Sequence, residues 1–236
     1  MTDGNSSTRI LIVDDEKEIA DLVELYLTNE GYQVRKFYDS AGALSCIAEE
    51  SLDLAILDVM LPETDGFAIL RKIREKYTYP VIMLTAKVED MDKITGLSIG
   101  ADDYITKPFN PLVLVARVKA QLRRFTRYND GPARPAEGII DFRGLVIDRN
   151  THECRYNERP VMLTPTEFSI LWALCENRGQ VLSSEQLFEM VWGEKYLNGN
   201  NTVMVHIRHL REKLGEPAGK PNLIKTVWGV GYKIEK

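Results

Sequence analysis

The chain has 236 residues, enough for one or two domains, and a formal charge of −5. That charge is uneven: residues 1–124 hold 15 Lys and Arg against 21 Asp and Glu (−6), and residues 125–236 hold 15 against 14 (+1). The three cysteines, Cys46, Cys154 and Cys175, form no CxxC pair and argue against a disulfide framework. The opening MTDGNSSTR lacks the apolar run of a signal peptide, and no stretch approaches the ~20 apolar residues of a membrane span. A cytoplasmic protein with no membrane segment is expected.

The first half alternates short apolar runs with amphipathic stretches. The runs are RILIVDD (9–15), YQVRKFY (32–38), DLAILDV (53–59), PVIMLTA (80–86) and DYITKPF (103–109). Unbroken cores such as ILIV, LAIL and VIML predict strands buried on both faces. Between them, Ile19, Leu22, Val23, Tyr26 and Leu27 share one helical face, and so do Ile69, Leu70 and Ile73. Five strands alternating with helices predict an α/β domain over 1–124, with a doubly wound, five-stranded parallel sheet. Residues 125–136, within RFTRYNDGPARPAE, carry two prolines and a glycine with no apolar period and read as a linker.

Residues 137–236 predict a second, α+β domain. Short β-like segments (GIIDF, LVIDR, HECRYN, PVMLT) precede three helices. Thr164-Pro165-Thr166-Glu167 gives the first a capping box with proline at its first position. Ser183 or Ser184 caps the second. The third begins near Asn201 and ends at Leu214-Gly215, and a hairpin through Gly229 and Gly231 closes the chain.

The chemistry gathers at strand ends. Asp14 and Asp15 follow ILIV, Asp58 follows LAIL, Thr85 follows VIML and Lys107 follows DYIT. A parallel sheet brings these ends to one edge, where function collects in such folds. Any one of them alone reads as a helix cap or a loop residue. Their joint placement makes a cleft of three carboxylates, a hydroxyl and a lysine. Hard oxygen donors with open positions suit Mg2+, and a carboxylate can attack phosphorus. A phosphatase or mutase with an aspartate nucleophile is the enzyme alternative. Its general-acid Asp would stand two residues on, where this chain has Met60. No P-loop, HExxH or GxSxG motif is present, so an acceptor with slow self-hydrolysis is expected and not an enzyme.

Over residues 9–124, VDDE (13–16), LDVMLPETDG (57–66), MLTAK (83–87) and GADDYITKPF (100–109) resemble the receiver domains of two-component response regulators, which are flavodoxin-like. The resemblance implies phosphorylation of Asp58 by a sensor histidine kinase. It implies Mg2+ on Asp15, Asp58 and the Met60 carbonyl, with Asp14 acting through water. It further implies a phosphoryl contact and a cis peptide at Lys107–Pro108, and switching of Thr85 and Tyr104. Dimerisation on phosphorylation would use the fourth helix, last strand and last helix of that domain. Lys93, Asp102, Asp103, Arg117 and Arg124 match charged positions of that interface, and Val113 stands where relatives usually place Glu.

In the second half, residues 199–236 hold seven Lys and Arg against three Glu (+4). Along the third helix, Val203, Ile207, Leu210 and Leu214 form one face, opposite Asn201, Val205, Arg208 and Glu212. A third helix followed by a hairpin reads as a recognition helix with a wing. LTPTEFSILWALCENRGQVLS (163–183), NTVMVHIRHLREKL (201–214) and IKTVWGVGYK (224–233) resemble the winged-helix output domains of the OmpR/PhoB family. That implies promoter DNA and RNA polymerase as partners. It puts His206, Arg208, His209 and Arg211 on or beside the DNA face, with Thr226 and Tyr232 near the wing. Trp228 stands where many relatives carry a minor-groove Arg. LVELYLTNEGY, MLTPTEFSIL and IKTVWGVGYKIEK resemble the regulators of vancomycin resistance, which implies control of cell-wall precursor genes. The other class left open is a phosphorylation switch whose C-terminal domain binds a protein without reading DNA.

Overall fold

Apolar runs that alternate with helices have one economical solution: a parallel sheet with a helical layer on each face. The computed structural model describes residues 8–62, 64–86, 100–126, 138–193, 202–217 and 221–236. The chain divides into two compact units, residues 1–122 and 123–236. In the first, strands β1 (Arg9–Val13), β2 (Gln33–Phe37), β3 (Leu54–Asp58), β4 (Val81–Ala86) and β5 (Asp103–Lys107) pair in parallel in the order β2-β1-β3-β4-β5. The described helices of this unit are α1 (Lys17–Asn29), α2 (Ser40–Glu49), α3 (Gly66–Arg74) and α4 (Pro111–Thr126). Strand β3 is buried along its whole length, as its unbroken apolar run requires.

Register fixes what meets at the carboxyl edge. Val13 lies beside Leu57, Asp58 beside Leu84, and Ala86 beside Lys107. Asp14, Asp58, Thr85 and Lys107 therefore converge where the strand order reverses direction around β1 and β3, the usual place for a site in an open α/β sheet. Gly66 opens α3 against the backbone of β3. A Cβ there would stand 1.9 Å from the Asp58 carbonyl oxygen, so any side chain would push the segment that carries Asp58.

Helix α4 continues to Thr126, so the first two residues of the expected linker are helical. The rest of that linker, residues 127–136, lies outside the described residues, as do Lys93, Asn201 and the side chain of Arg124. Among the described residues, no helix is long and apolar enough to cross a membrane.

The second unit opens with an antiparallel sheet in the order β6 (Ile139–Phe142), β7 (Leu145–Asp148), β8 (Glu153–Tyr156), β9 (Arg159–Pro160). Arg143-Gly144 and Asn157-Glu158 all have positive φ, the conformation that two-residue hairpin turns demand. Three helices follow: α5 (Pro165–Glu176), α6 (Ser184–Trp192) and α7 (Thr202–Lys213). The N-termini of α5 and α6 carry complete capping boxes, Thr164 with Glu167 and Ser183 with Gln186. The hairpin β10 (Ile224–Val227) and β11 (Gly231–Ile234) docks through paired backbone bonds of 2.9 Å between Leu182 and Tyr232. Gly231 permits that approach, because a Cβ there would lie 2.0 Å from the Leu182 carbonyl oxygen. Phe168, Leu171, Leu187, Val203, Ile207, Leu210 and Ile224 form the core.

Two expected interface residues are internal, Asp103 at 6% exposure and Asp102 deeper still. Asp102 is fully buried and not part of an exposed interface. Its Oδ2 pairs with Arg74 at 2.7 Å and accepts the Val81 N–H at 3.0 Å, while Arg74 also donates to the carbonyls of Gly100 and Tyr79. The bridge ties α3 to the start of β4 and β5. Removing one partner of a buried pair strands the other charge, which costs about 3–5 kcal/mol. Asp102→Ala should lower stability to urea by that amount. An unchanged unfolding midpoint would show that the pair contributes nothing.

Candidate functional site

The carboxyl edge of the parallel sheet concentrates charge out of water. Asp14 is fully buried after β1, and Asp58 is buried at the end of β3. Lys107 Nζ, at the end of β5, lies 2.8 Å from Asp14 Oδ2, 2.7 Å from Asp58 Oδ2 and 2.9 Å from Glu16 Oε1. Asp58 Oδ1 accepts the Met60 N–H at 3.1 Å, which orients the carboxylate from its own loop. Thr85 is buried beside it, with its hydroxyl turned locally to donate to the Ala86 carbonyl at 2.9 Å. Tyr104 is half-buried on β5, and the Lys107–Pro108 peptide is cis.

Burial pushes the Asp14 carboxyl up to about 6; the Lys107 hydrogen bond opposes that and the neighbouring Asp58 charge adds to it. For Lys107, burial alone would lower the pKa. Its bonds to Asp14, Asp58 and Glu16 outweigh burial and hold the ammonium above the ordinary lysine value. Carboxylate oxygens of Asp14, Glu16 and Asp58 all lie within 4.8 Å of one another. Three carboxylates against one ammonium leave two negative charges when all are ionised. An oxygen-only donor set with that residual charge fits a hard divalent cation such as Mg2+.

Of the sequence-derived set, Asp14, Asp58, Thr85 and Lys107 are brought together. Glu16, legible only as the last letter of VDDE, joins the cluster. Asp15 is exposed and stands outside the close group. Of the expected interface residues, Asp103 and Arg117 pair with each other within one copy at 2.9 Å. Val113 and its neighbour Leu112 are exposed at the start of α4.

The expected nucleic-acid surface divides more sharply. Val205, His206 and His209 are buried, which corrects their placement on an outward face. Helix α7 turns inward on a wider arc than the Val203, Ile207, Leu210, Leu214 stripe alone suggests. His206 lies against Trp192 with ring centroids 5.8 Å apart, and His209 lies toward Glu167 of α5. Arg211 is a brace more than an outward contact: it donates to the Ile224 carbonyl at 2.8 Å and to the Thr226 hydroxyl at 2.7 Å. Tyr232 is also buried, below the Arg211 guanidinium. The exposed residues of α7 are Met204, Arg208, Glu212 and Lys213, with Arg208 and Glu212 paired at 2.8 Å. Trp228, at the tip of the β10–β11 hairpin, is 90% exposed.

Known proteins share both halves of this arrangement. Residues 10–119 match the model of the response regulator receiver domain, and residues 158–234 match that of the transcriptional regulatory protein, C terminal. Regulatory protein VanR of Enterococcus faecium is 62% identical over 231 residues, covering 98% of this chain and 100% of that protein. Regulatory protein VanRc of Enterococcus gallinarum is 60% identical, covering 98% and 100%. The solved structure of a RitR mutant is 31% identical with a TM-score of 0.72, covering 98% of this chain and 100% of the other.

The raised Asp14 pKa sets a pH dependence. The folded, metal-free protein holds that proton up to about pH 6, whereas an exposed Asp releases it near 3.8. Protonation thus favours the metal-free fold, and this contribution is lost as pH rises from 3.8 through about 6. Metal binding has the opposite sign, because ligands must be deprotonated. Calorimetry should show Mg2+ affinity falling steeply as pH drops below about 6. Affinity independent of pH from about 5 to 7.5 would contradict the burial of Asp14.

Proposed function

Because this chain belongs to the response regulators that join a receiver domain to an OmpR/PhoB-type DNA-binding domain, we propose that Asp58 is the carboxylate that accepts the phosphoryl group. The observation that carries this reading is the convergence of Asp58, Lys107, Asp14 and Thr85 at one sheet edge. An Asp58 carboxylate oxygen attacks phosphorus, an O–P bond forms, and the bond to the donor's leaving nitrogen or oxygen breaks. The leaving group departs with the electron pair of that bond.

Asp58, Asp14 and the Met60 carbonyl would hold Mg2+, with Glu16 or Asp15 at the exposed rim. Bound there, the ion neutralises charge on the incoming phosphoryl oxygens. Lys107 already spans Asp14 and Asp58 and is placed to follow a phosphoryl oxygen once Asp58 is modified. The modification adds about −1.5 to −2 charge and three strong acceptors. Thr85 would exchange its single local bond to the Ala86 carbonyl for one of them, with Tyr104 following inward. Such contacts exist only in the modified state, which is what biases a two-state surface. Met60 supplies no acid or base where a turnover enzyme of this type would need one, so the domain accepts and slowly loses phosphate without processing a separate substrate.

The donor is a sensor histidine kinase, and the output is regulated binding of promoter DNA in the cytoplasm. Phosphorylation promotes a homodimer through the receiver, where Leu112 and Val113 offer apolar surface beside the Asp103–Arg117 pair. Contact with RNA polymerase follows at the promoter. The Enterococcus relatives direct attention to glycopeptide (vancomycin) resistance genes as the targets. DNA reading is preferred over a purely protein-binding output because the second unit matches a transcriptional regulatory domain and presents Arg208 and Trp228 outward.

Acetyl phosphate with Mg2+ should label the wild-type chain and leave Asp58→Asn unlabelled. Equal label on the variant would place the acceptor elsewhere. On the DNA side, Arg208 and Arg211 separate a contact from a brace. Arg208→Ala should fold normally, weaken duplex binding across sequences and reduce the slope of log affinity against log salt by about 0.9 if Arg208 neutralises one phosphate. Arg211→Ala should instead lower thermal stability. A wild-type salt slope in Arg208→Ala would remove that residue from the interface.

A further inference from the structure

Apart from the acidic cluster, the C-terminal unit carries a second group of metal-ligating side chains. Glu167 sits in the first turn of α5, and His206 and His209, three residues apart on α7, turn toward it. One ligand atom from each lies within 4.8 Å of the other two, and all three residues are buried. The two carboxylate oxygens of Glu167 have different surroundings. Oε2 accepts the Thr164 N–H at 2.8 Å and the Lys213 ammonium at 2.6 Å. Oε1 is buried and accepts no hydrogen bond among the described residues. It lies 3.8 Å from His209 Nδ1, beyond hydrogen-bond range. A buried carboxylate oxygen that faces two imidazoles and lacks a donor is an unusual feature, because buried acceptors are almost always satisfied.

We infer that Glu167, His206 and His209 form a site for one divalent transition-metal ion, with Zn2+ as the best match. Two imidazoles and one carboxylate are the donors that Zn2+ takes at about 2.0–2.2 Å, whereas Mg2+ favours oxygen alone. Ligands at those lengths around a tetrahedral ion stand roughly 3.4 Å apart. Binding would draw the ligand atoms together from their present spacing of up to 4.8 Å. Three protein ligands leave a fourth position for water. Lys213 stays on Oε2, so it holds the carboxylate in place without blocking Oε1. The ion would join α5 to α7 and fix the helix that presents Arg208.

The chain contains three histidines, which makes the test direct in the unmodified protein. Full-length protein is stripped with chelator, given excess Mg2+ to fill the acidic cluster, and titrated with Zn2+. Imidazole 15N spectra should show two of the three rings becoming metal-bound at one equivalent. His152, stacked on Phe168 at a centroid distance of 3.9 Å, should keep its free-ring signals. The melting temperature of the C-terminal unit should rise by about 5 °C at saturation. His206→Gln and His209→Gln should each lower Zn2+ affinity by at least about tenfold. The inference is overturned if no ring, or His152 alone, responds to micromolar Zn2+, or if both variants bind Zn2+ as the wild type does. Should a variant fail to fold, the wild-type spectra decide the matter.

Discussion

A single ammonium group holds the receiver site together. Lys107 Nζ is within 3 Å of three carboxylates contributed by two segments far apart in sequence: Asp14 and Glu16 after β1, and Asp58 at the end of β3. Without that charge, the fully buried Asp14 and the buried Asp58 would face each other with no counter-ion among the described residues. Burial of such a pair is tolerable only because the lysine, and by inference a divalent cation, offsets their repulsion. The same arrangement makes the site responsive. A phosphoryl group on Asp58 would change the charge that Lys107 and Thr85 meet, and Lys107 sits on β5, whose other end carries Asp103, paired with Arg117 of α4.

The architecture of the first unit was legible because its signals are local and redundant. Runs such as ILIV, LAIL and VIML can be buried only as strands covered on both sides, and the order of a doubly wound sheet then places Asp14, Asp58, Thr85 and Lys107 at one edge. Glu16 was not among the expected ligands yet joins the cluster, while Asp15 is exposed. The sequence fixes that both follow β1, yet which side chain turns inward depends on the φ and ψ of the turn into α1. Asp102 was misplaced for a related reason. Two adjacent aspartates look alike in sequence, and only the reach of Arg74 from α3 shows that one lies inside while Asp103 pairs with Arg117 nearer the surface.

The second unit shows where helical periodicity stops being informative. The stripe of Val203, Ile207, Leu210 and Leu214 located the inward face of α7 correctly. It did not set the width of that face, because α7 is enclosed by α5, α6 and the hairpin and buries a broader arc than a two-sided surface helix. Val205, His206 and His209 fall within that extra arc. Histidines near arginines suggest a polar surface in sequence, but the partners that draw these two inward, Trp192 and Glu167, come from other helices. Of the expected DNA-facing residues that are described, Arg208 on the helix and Trp228 on the hairpin are the exposed ones, and they are unlike in chemistry: one can neutralise phosphate, and the other can stack or wedge but carries no charge.

Asp58, and no other carboxylate of the cluster, is proposed to carry the phosphoryl group. Borohydride reduction of the freshly phosphorylated protein converts an aspartyl phosphate to homoserine, which mass spectrometry of the resulting peptides can locate. Homoserine is expected at position 58 alone. Homoserine at position 14 or 15, or a reduced glutamyl phosphate at position 16, would contradict it.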